Sequence, residues 1–147
     1  MVAIIPRSFL RTRLPAAANL AIAPTGVDLD EYELSNRKLE EYSRSDLFIF
    51  NSLDKDRDYA VKMINLNSNL KVIDVAIGMS YEYSSEEIWL NPNNYLMMAE
   101  NIKNGLSEYI DNPYLVEEIN DNYEKLEYEI SKLDANLTET IRDAKYD

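Results

Sequence analysis

Acidic side chains are the strongest candidates for a chemical role in this sequence, and they fall into two groups. The first group consists of Asp28, Asp30, Glu31 and Glu33, and the second of Glu82, Glu86 and Glu87. The chain contains no His and no Cys, which excludes Ser-His-Asp and Cys-His catalysis and zinc sites built on imidazole or thiolate. A metal site in this chain would therefore use oxygen ligands alone, which favour cations such as calcium, magnesium or manganese.

A net charge of −12 leaves a simpler interpretation open, in which both groups are solvated acids on an acidic surface. Such a surplus of negative charge repels nucleic acid, so we expect no nucleic-acid partner. A hydrolase that uses a pair of carboxylates is a further alternative. It is the least favoured, because no acid has an identifiable apolar setting, and we expect the protein not to be an enzyme.

Short strands that alternate with helices are the predicted elements around these acids. Apolar runs rich in β-branched and aromatic residues predict strands near Leu20, at 47–50 and at 72–77. Helical spacing and capping residues predict helices at 36–43, at 54–65 and from Pro92 to about Tyr109. This alternation indicates a small parallel sheet, which binds ligands beyond the carboxyl ends of its strands. Both acidic groups follow predicted strands, so we expect them at the same end of the sheet.

The longest predicted element is a helix from Tyr114 to Lys145, which begins after Asn112 and Pro113. Its apolar residues recur at steps of three or four and form one stripe. The stripe consists of Leu115, Ile119, Tyr123, Leu126, Ile130, Leu133, Leu137, Ile141 and Ala144. The helix would be roughly 48 Å long, so we expect one end to pack on the chain and the other to protrude. The stripe alone leaves open a surface helix, a homodimer through coiled-coil-like pairing, and a spine to a second lobe.

The N-terminal segment, residues 1–20, differs in composition from the remainder. It contains Arg7, Arg11 and Arg13 and no acid. Pro6 and Pro15 interrupt any amphipathic helix, and the charges fall inside the apolar run, which is untypical of transit and secretory peptides. We therefore interpret residues 1–20 as an atypical segment, an altered start rather than a targeting signal. No segment of the chain has the length of a transmembrane span.

The order of several motifs resembles that in the solute-binding proteins of zinc and manganese ABC transporters, the adhesin-lipoprotein family. Residues 27–33 (VDLDEYE) are similar to that family's Asp-Pro-His-x-Tyr-Glu loop, and residues 45–51 (SDLFIFN) to its strand that begins Ala-Asp-Leu. Residues 87–92 (EIWLNP) are similar to its His-Ile-Trp-Leu-Asp-Pro motif, and Met-Ala-Glu-Asn follows at 98–101. Residues 122–134 are similar to the long helix that links the two lobes of the family. The resemblance covers about residues 21–145.

The resemblance implies an α/β fold with a small parallel sheet flanked by helices, which is half of a bilobed solute-binding protein. The α/β lobe would occupy residues 21–110, and one long protruding helix at 111–147 would link it to a second lobe. The resemblance also implies an extracytoplasmic protein that hands a divalent metal, zinc or manganese, to an ABC permease.

The resemblance makes Asp30 and Glu87 the expected metal ligands, since they stand at the two His positions of the family's motifs. The family's second-lobe ligands have no counterpart before Asp147, and no lipobox Cys is present. We therefore expect a truncated or degenerate member that holds a divalent cation (manganese, zinc or calcium) weakly, with a preference shifted away from zinc. The alternative is an interaction module without metal, which uses the helix stripe for dimerisation or for contact with a permease.

Overall fold

The computed structural model of this protein describes residues 3–5, 20–21, 32–52, 56–79 and 85–144, with side chains within 32–52, 56–79 and 88–144. Packing divides the chain into two units, Met1–Gly78 and Met79–Asp147. The predicted division at residues 20 and 110 concerns the lobes of a bilobed architecture, and it stays a prediction. Among the described residues, none of the helices combines the length and the hydropathy that a membrane span requires.

The first unit is built on a small sheet. Its described strands are β1 (Ala3–Ile5), β2 (Leu20–Ala21), β3 (Leu47–Phe50) and β4 (Lys71–Asp74). They lie in the order β2-β1-β3-β4. β3 and β4 are parallel, with Leu47 opposite Lys71 and Phe50 opposite Asp74. This parallel pair, joined through a helix, confirms the predicted α/β fold with a small parallel sheet.

The strand Ala3–Ile5 lies in the segment that we interpreted as an atypical start. β1 pairs antiparallel with β2, with Ile4 opposite Leu20, and antiparallel with β3, with Ile5 opposite Leu47. β2 therefore runs in the same direction as β3, and β1 lies between them. The two Ile residues of this run have a high β propensity. The Arg and Pro residues that follow them led us to interpret the whole segment by its composition, and the strand was not predicted.

The fourth strand ends earlier than predicted, at Asp74 rather than Ile77. The Asp74 carboxylate accepts a hydrogen bond from the N–H of Ala76 at 3.0 Å. A side chain that binds the backbone two residues later forms an Asx turn, which ends an extended segment. The turn continues to Gly78, whose φ of 77° lies in the left-handed region, where a residue without a Cβ is not strained.

Two helices pack on the sheet in the first unit. They are α1 (Asn36–Ser43) and α2 (Asp56–Leu66). Ser35 caps α1 by accepting a hydrogen bond from the N–H of Lys38 at 3.4 Å, as the sequence predicts. Leu39 and Tyr42 are the buried apolar side chains of α1. The end of α2 is joined to the end of α1, because the Asn67 side-chain amide donates to the Ser43 carbonyl at 2.7 Å.

The core of this unit lies between the two helices and one face of β3. Phe48 and Phe50 project from that face, and their rings stack with centroids 5.6 Å apart and planes 2° from parallel. Met63 of α2 is fully buried in the same cluster. The buried hydroxyl of Tyr59 accepts a hydrogen bond from the N–H of Leu34 at 3.2 Å, so the chain that enters α1 is fixed to α2.

The second unit consists of a 3-10 helix and two longer helices. They are the 3-10 helix Ser85–Leu90, α3 (Pro92–Tyr109) and α4 (Pro113–Asp143). Each long helix begins with an Asn cap followed by Pro, as predicted: the Asn91 side chain accepts from the N–H of Asn93 at 2.9 Å, and Asn112 accepts from that of Tyr114 at 3.0 Å. Pro at the first helical position has no N–H that would need an intrahelical partner.

α4 is much longer than the helix that it packs against. α3 has 18 residues and α4 has 31, and the short turn at 110–112 makes them an antiparallel hairpin. In such a hairpin, residues equally far from the turn along the two helices lie side by side. Pro92, the first residue of α3, therefore lies beside about residue 130 of α4. In agreement, the stripe residues up to Ile130 are half-buried, whereas every residue from 131 to 144 is exposed. Residues 131–143 extend about 20 Å past α3, which confirms the predicted protruding helix.

We expect Met63→Ala to lower the free energy of unfolding by about 2–5 kcal/mol, because it leaves a cavity in the core. The matched control is Val61→Ala on the same helix, where the side chain is 51% exposed and the expected change is within about 0.5 kcal/mol. Urea denaturation followed by circular dichroism measures both. Equal losses of stability in the two variants would contradict the assigned core.

Candidate metal-binding residues and the carboxyl end of the parallel strands

The two predicted metal ligands fall where the structure gives no side-chain geometry. Asp30 lies outside the described residues. Glu87 belongs to the 3-10 helix Ser85–Leu90, and its side chain lies outside the described part. The structure therefore does not test whether the two carboxylates come together, and the pair stays a prediction. Within the described ranges, no group of three or more acidic residues is placed to hold a metal ion.

The other acids of the two predicted groups provide no further evidence for a metal site. Glu33 is described and is exposed to solvent, so it has the environment of a solvated surface acid. The remaining members fall outside the described residues or have side chains that do: Asp28, Glu31, Glu82 and Glu86. Of the first group, only Glu33 can therefore be placed, and it shows no sign of a binding environment.

Asp74 is a polar residue at the carboxyl end of the parallel strands that sequence analysis did not single out. Its Oδ1 accepts hydrogen bonds from the N–H of Ser52, at 3.1 Å, and from that of Ala76, at 3.0 Å. The backbone continues the pairing, because the N–H of Val75 donates to the Phe50 carbonyl at 2.9 Å. One carboxylate thus ties together the chain segments that leave β3 and β4.

Asn51 and Ser52 follow β3 at this edge of the sheet. Residues at this position could hydrogen-bond a ligand, since ligands bind beyond the carboxyl ends of parallel strands. The N–H of Ser52 is instead taken by Asp74, and Asn51 is buried. The Asp74 carboxylate therefore supports the chain segments that leave both strands. It also fixes the turn through residues 75–78, which precedes the segment that carries Glu87.

A lone Trp between two aliphatic residues is typical of a core position, but Trp89 is placed differently. It is 42% exposed, whereas Ile88 is only 6% exposed. A 3-10 helix turns by one third of a revolution per residue, so Trp89 and Leu90 face other directions than the buried Ile88. An exposed aromatic side chain therefore lies two residues before the Asn91 cap of α3.

The seam between α3 and α4 contains a second cluster of charged and aromatic groups. The Lys103 ammonium lies 4.4 Å from the ring centroid of Tyr123 and 4.0 Å from a carboxylate oxygen of Glu100. Burial raises the pKa of the Tyr123 phenol above its usual value, and the carboxylates of Glu100 and Glu127 raise it further. The Tyr123 phenol is thus neutral at physiological pH, and the cluster joins the two helices through a cation–π contact.

An open surface depression on α4 is a weaker candidate for a site. Its described lining residues are Asp121, Glu124, Lys125, Tyr128 and Glu129, which all come from one helix. Lys125 stands four residues from both Asp121 and Glu129, a spacing that pairs opposite charges on a solvated helix face. This depression is therefore an ordinary helix surface.

We expect Asp74→Ala to lower the free energy of unfolding by about 1–3 kcal/mol, because two backbone N–H groups lose their acceptor. Asp74→Asn keeps an oxygen at the same place and should recover at least half of the loss. The control is Asp134→Ala, in the exposed end of α4. An Asp74→Ala variant as stable as this control, in urea denaturation, would contradict the supporting role.

Comparison with known proteins gives the wider context of this fold. A family model described as zinc-uptake complex component A, periplasmic (ZnuA), matches residues 16–147. No curated protein matches the sequence significantly. The chain is similar in structure to a ZnuA deletion mutant crystallised with zinc bound, with a TM-score of 0.68 and 22% sequence identity. At this identity, the likeness concerns the fold alone.

The structural match and the family match cover different shares of the chain. The structural match covers 83% of this chain and 49% of the ZnuA chain, so the protein spans about half the length of that relative. The family model, in contrast, extends over nearly the whole chain, residues 16–147, and it agrees with the family that the motif order resembles. The chain belongs to the zinc-uptake complex component A family of periplasmic solute-binding proteins.

Proposed function

We propose that this chain is a solute-binding component of an ABC transporter for a divalent transition metal, zinc or manganese. The observation that carries the proposal is the family match over residues 16–147. The fold supports it, because the α/β unit and the long helix together resemble a ZnuA structure. In this role the protein binds and releases its substrate unchanged, so it is not an enzyme, and its partner is the membrane permease of the transporter on the extracytoplasmic side.

Asp30 and Glu87 are the residues that we propose as metal ligands in this chain. Each lies in one of the motifs whose order resembles the family, and each offers a carboxylate, which coordinates divalent cations through one or two oxygens. Two carboxylates are fewer ligands than any common divalent cation needs. Backbone carbonyls, water or further side chains would have to complete the coordination, and we expect the binding to be weak.

We expect isothermal titration calorimetry of the purified chain to detect binding of at least one cation among manganese, zinc and calcium. Asp30→Asn combined with Glu87→Gln should weaken the affinity at least about tenfold, since charged ligands supply most of the attraction for the ion. The control is Asp111→Asn combined with Glu118→Gln, which changes the net charge equally at two exposed positions. Binding that persists undiminished in the first double variant would refute the assigned ligands.

A second candidate function rests on the exposed end of α4. We call Leu133, Leu137 and Ile141 the distal stripe; they are 60%, 53% and 52% exposed. They continue the apolar stripe that α3 covers up to Ile130. Three aliphatic side chains in a row on a polar helix are a candidate contact surface for a partner, either a second copy of this chain or the permease. This proposal needs no metal.

For the second copy, we expect sedimentation velocity to show a dimer whose fraction rises with protein concentration. Leu137→Glu should abolish it, because a charge would be buried in the contact, without reducing the helical signal of the monomer. Thr138→Glu, on the neighbouring face of the helix, is the matched control and should leave the dimer intact. A chain that is monomeric at every concentration would refute the homodimer. The permease would then be the remaining candidate partner for the distal stripe.

A further inference from the structure

The end of α4 that extends past α3 is a helix with one uncovered apolar face. α3 covers the apolar stripe as far as Ile130, and every residue from 131 to 144 is exposed. We call residues 131–143 the free segment of α4; it is about 20 Å long and carries the distal stripe. A second helix that continues the line of α3 along the same face would cover the distal stripe.

We propose that the free segment pairs with the free segment of a second copy of this chain, in an antiparallel arrangement whose two-fold axis lies near Leu137. The inference rests on the second candidate function, the contact surface at the distal stripe, and specifies its partner. Residue 137 is the midpoint of 131–143, so this axis lets the two free segments overlap over their whole length. Leu133 then lies beside Ile141 of the partner subunit, and the interface is the same patch on both copies.

The position of α3 is incompatible with the parallel arrangement. In a parallel pair, α4 of the second copy would run in the same direction as α4 and would continue along the half-buried stripe from Leu115 to Ile130. α3 already packs on this part of α4. In an antiparallel pair, α4 of the second copy continues past residue 143 instead, away from α3. Its free segment therefore lies in line with α3 and ends where α3 begins.

The helix ends that meet in this arrangement have opposite partial charges. α3 begins at Pro92, and the unpaired N–H groups of its first turn give this end a partial positive charge. The last carbonyls of α4 give its C-terminal end a partial negative charge. Trp89 and Leu90, which precede α3, are 42% and 66% exposed. Apolar groups are thus available beside the end of α3 that the second copy reaches.

The acids beside the distal stripe also favour the antiparallel arrangement. With Leu133 and Leu137 at the d and a positions of a heptad, Glu129 and Asp134 occupy g and e positions, which face each other across a parallel pair and would repel. In the antiparallel arrangement, the two Asp134 residues are about 9 Å apart along the helix axis. Glu129 then lies near Asp143 of the partner subunit, a carboxylate that Arg142 pairs at 3.2 Å within each chain.

The size of the overlap sets the expected strength of the dimer. Two helices about 10–12 Å wide that overlap over about 20 Å bury less than the about 1,200–2,000 Å² that is typical of stable interfaces. The apolar contact consists mainly of the three distal-stripe side chains of each copy. We therefore expect a weak dimer that dissociates on dilution.

The arrangement is tested by distances between spin labels on the full chain, at protein concentrations where sedimentation velocity detects a dimer. The chain has no Cys, so Glu124→Cys or Glu139→Cys provides a single labelling position, and both positions are exposed. Antiparallel pairing separates the two labels along the axis by about 39 Å at position 124 and by about 6 Å at position 139. Parallel pairing gives nearly equal distances at the two positions.

A distance at position 124 that exceeds the distance at position 139 by at least about 10 Å supports the inference. Equal distances would overturn it and leave the contact surface of the second candidate function standing. A chain that is monomeric at every concentration would overturn both the inference and the homodimer, whereas the proposed binding of a metal would be unaffected. Labelled variants that sediment like the unlabelled chain verify that the labels do not disturb the pairing.

Paired charge substitutions give an independent check of which residues meet. Leu133→Glu and Ile141→Lys each place an unpaired charge in the contact, so each variant alone should be monomeric. An equal mixture should associate at least about tenfold more tightly than either variant alone, because the antiparallel arrangement places the new carboxylate beside the new ammonium. The matched control is a mixture of Leu133→Glu with Leu133→Lys, whose charges meet only in a parallel pair. Association in the control mixture and not in the first would overturn the inference.

Discussion

The first unit depends on the complete burial of one short strand. All four residues of β3, Leu47 to Phe50, are buried, and the strand is paired on both edges, with β1 and with β4. A strand that is buried on both faces and paired on both edges has little freedom to shift in register. The two stacked rings of Phe48 and Phe50 then fix α1 and α2 above it. The buried strand therefore also fixes Asn51 and Ser52, which follow it. The N–H of Ser52 donates to the Asp74 carboxylate.

Local signals predicted most of the elements, and their alternation predicted the parallel arrangement of β3 and β4, but the antiparallel pairings of β1 were not predicted. The caps Ser35, Asn91 and Asn112 each satisfy N–H groups two or three residues away, so the information lies within a few positions of the sequence. β1 was missed, because its partners are Leu20 and Leu47, and nothing in Ala3–Ile5 indicates them. The aliphatic neighbours of Trp89 favour a core position, but the tight turn of a 3-10 helix allows only one of three consecutive residues to face inward.

The contrast between local sequence signals and long-range contacts also applies to the candidate site. Asp30 and Glu87 were found through the order of motifs, which is a property of the sequence, and they remain predictions. Asp74 was missed although it is the best-defined polar group at the carboxyl end of the strands. One of its two partners, Ser52, lies 22 positions earlier in the chain, and only the parallel pairing of β3 with β4 brings them together. Its other partner, Ala76, is local, and an Asp that ends an apolar run was the signal available.

The long helix illustrates why a regular pattern does not determine burial. Its apolar stripe continues at the same spacing from Leu115 to Ile141, yet α3 covers it only as far as Ile130, because α3 is shorter. The fold depends on the burial of β3, on the helix caps and on this hairpin, and none of these uses a metal ligand. Membership of a zinc-uptake family thus agrees with an arrangement of strands and helices that is stabilised by strand burial, helix caps and helix packing.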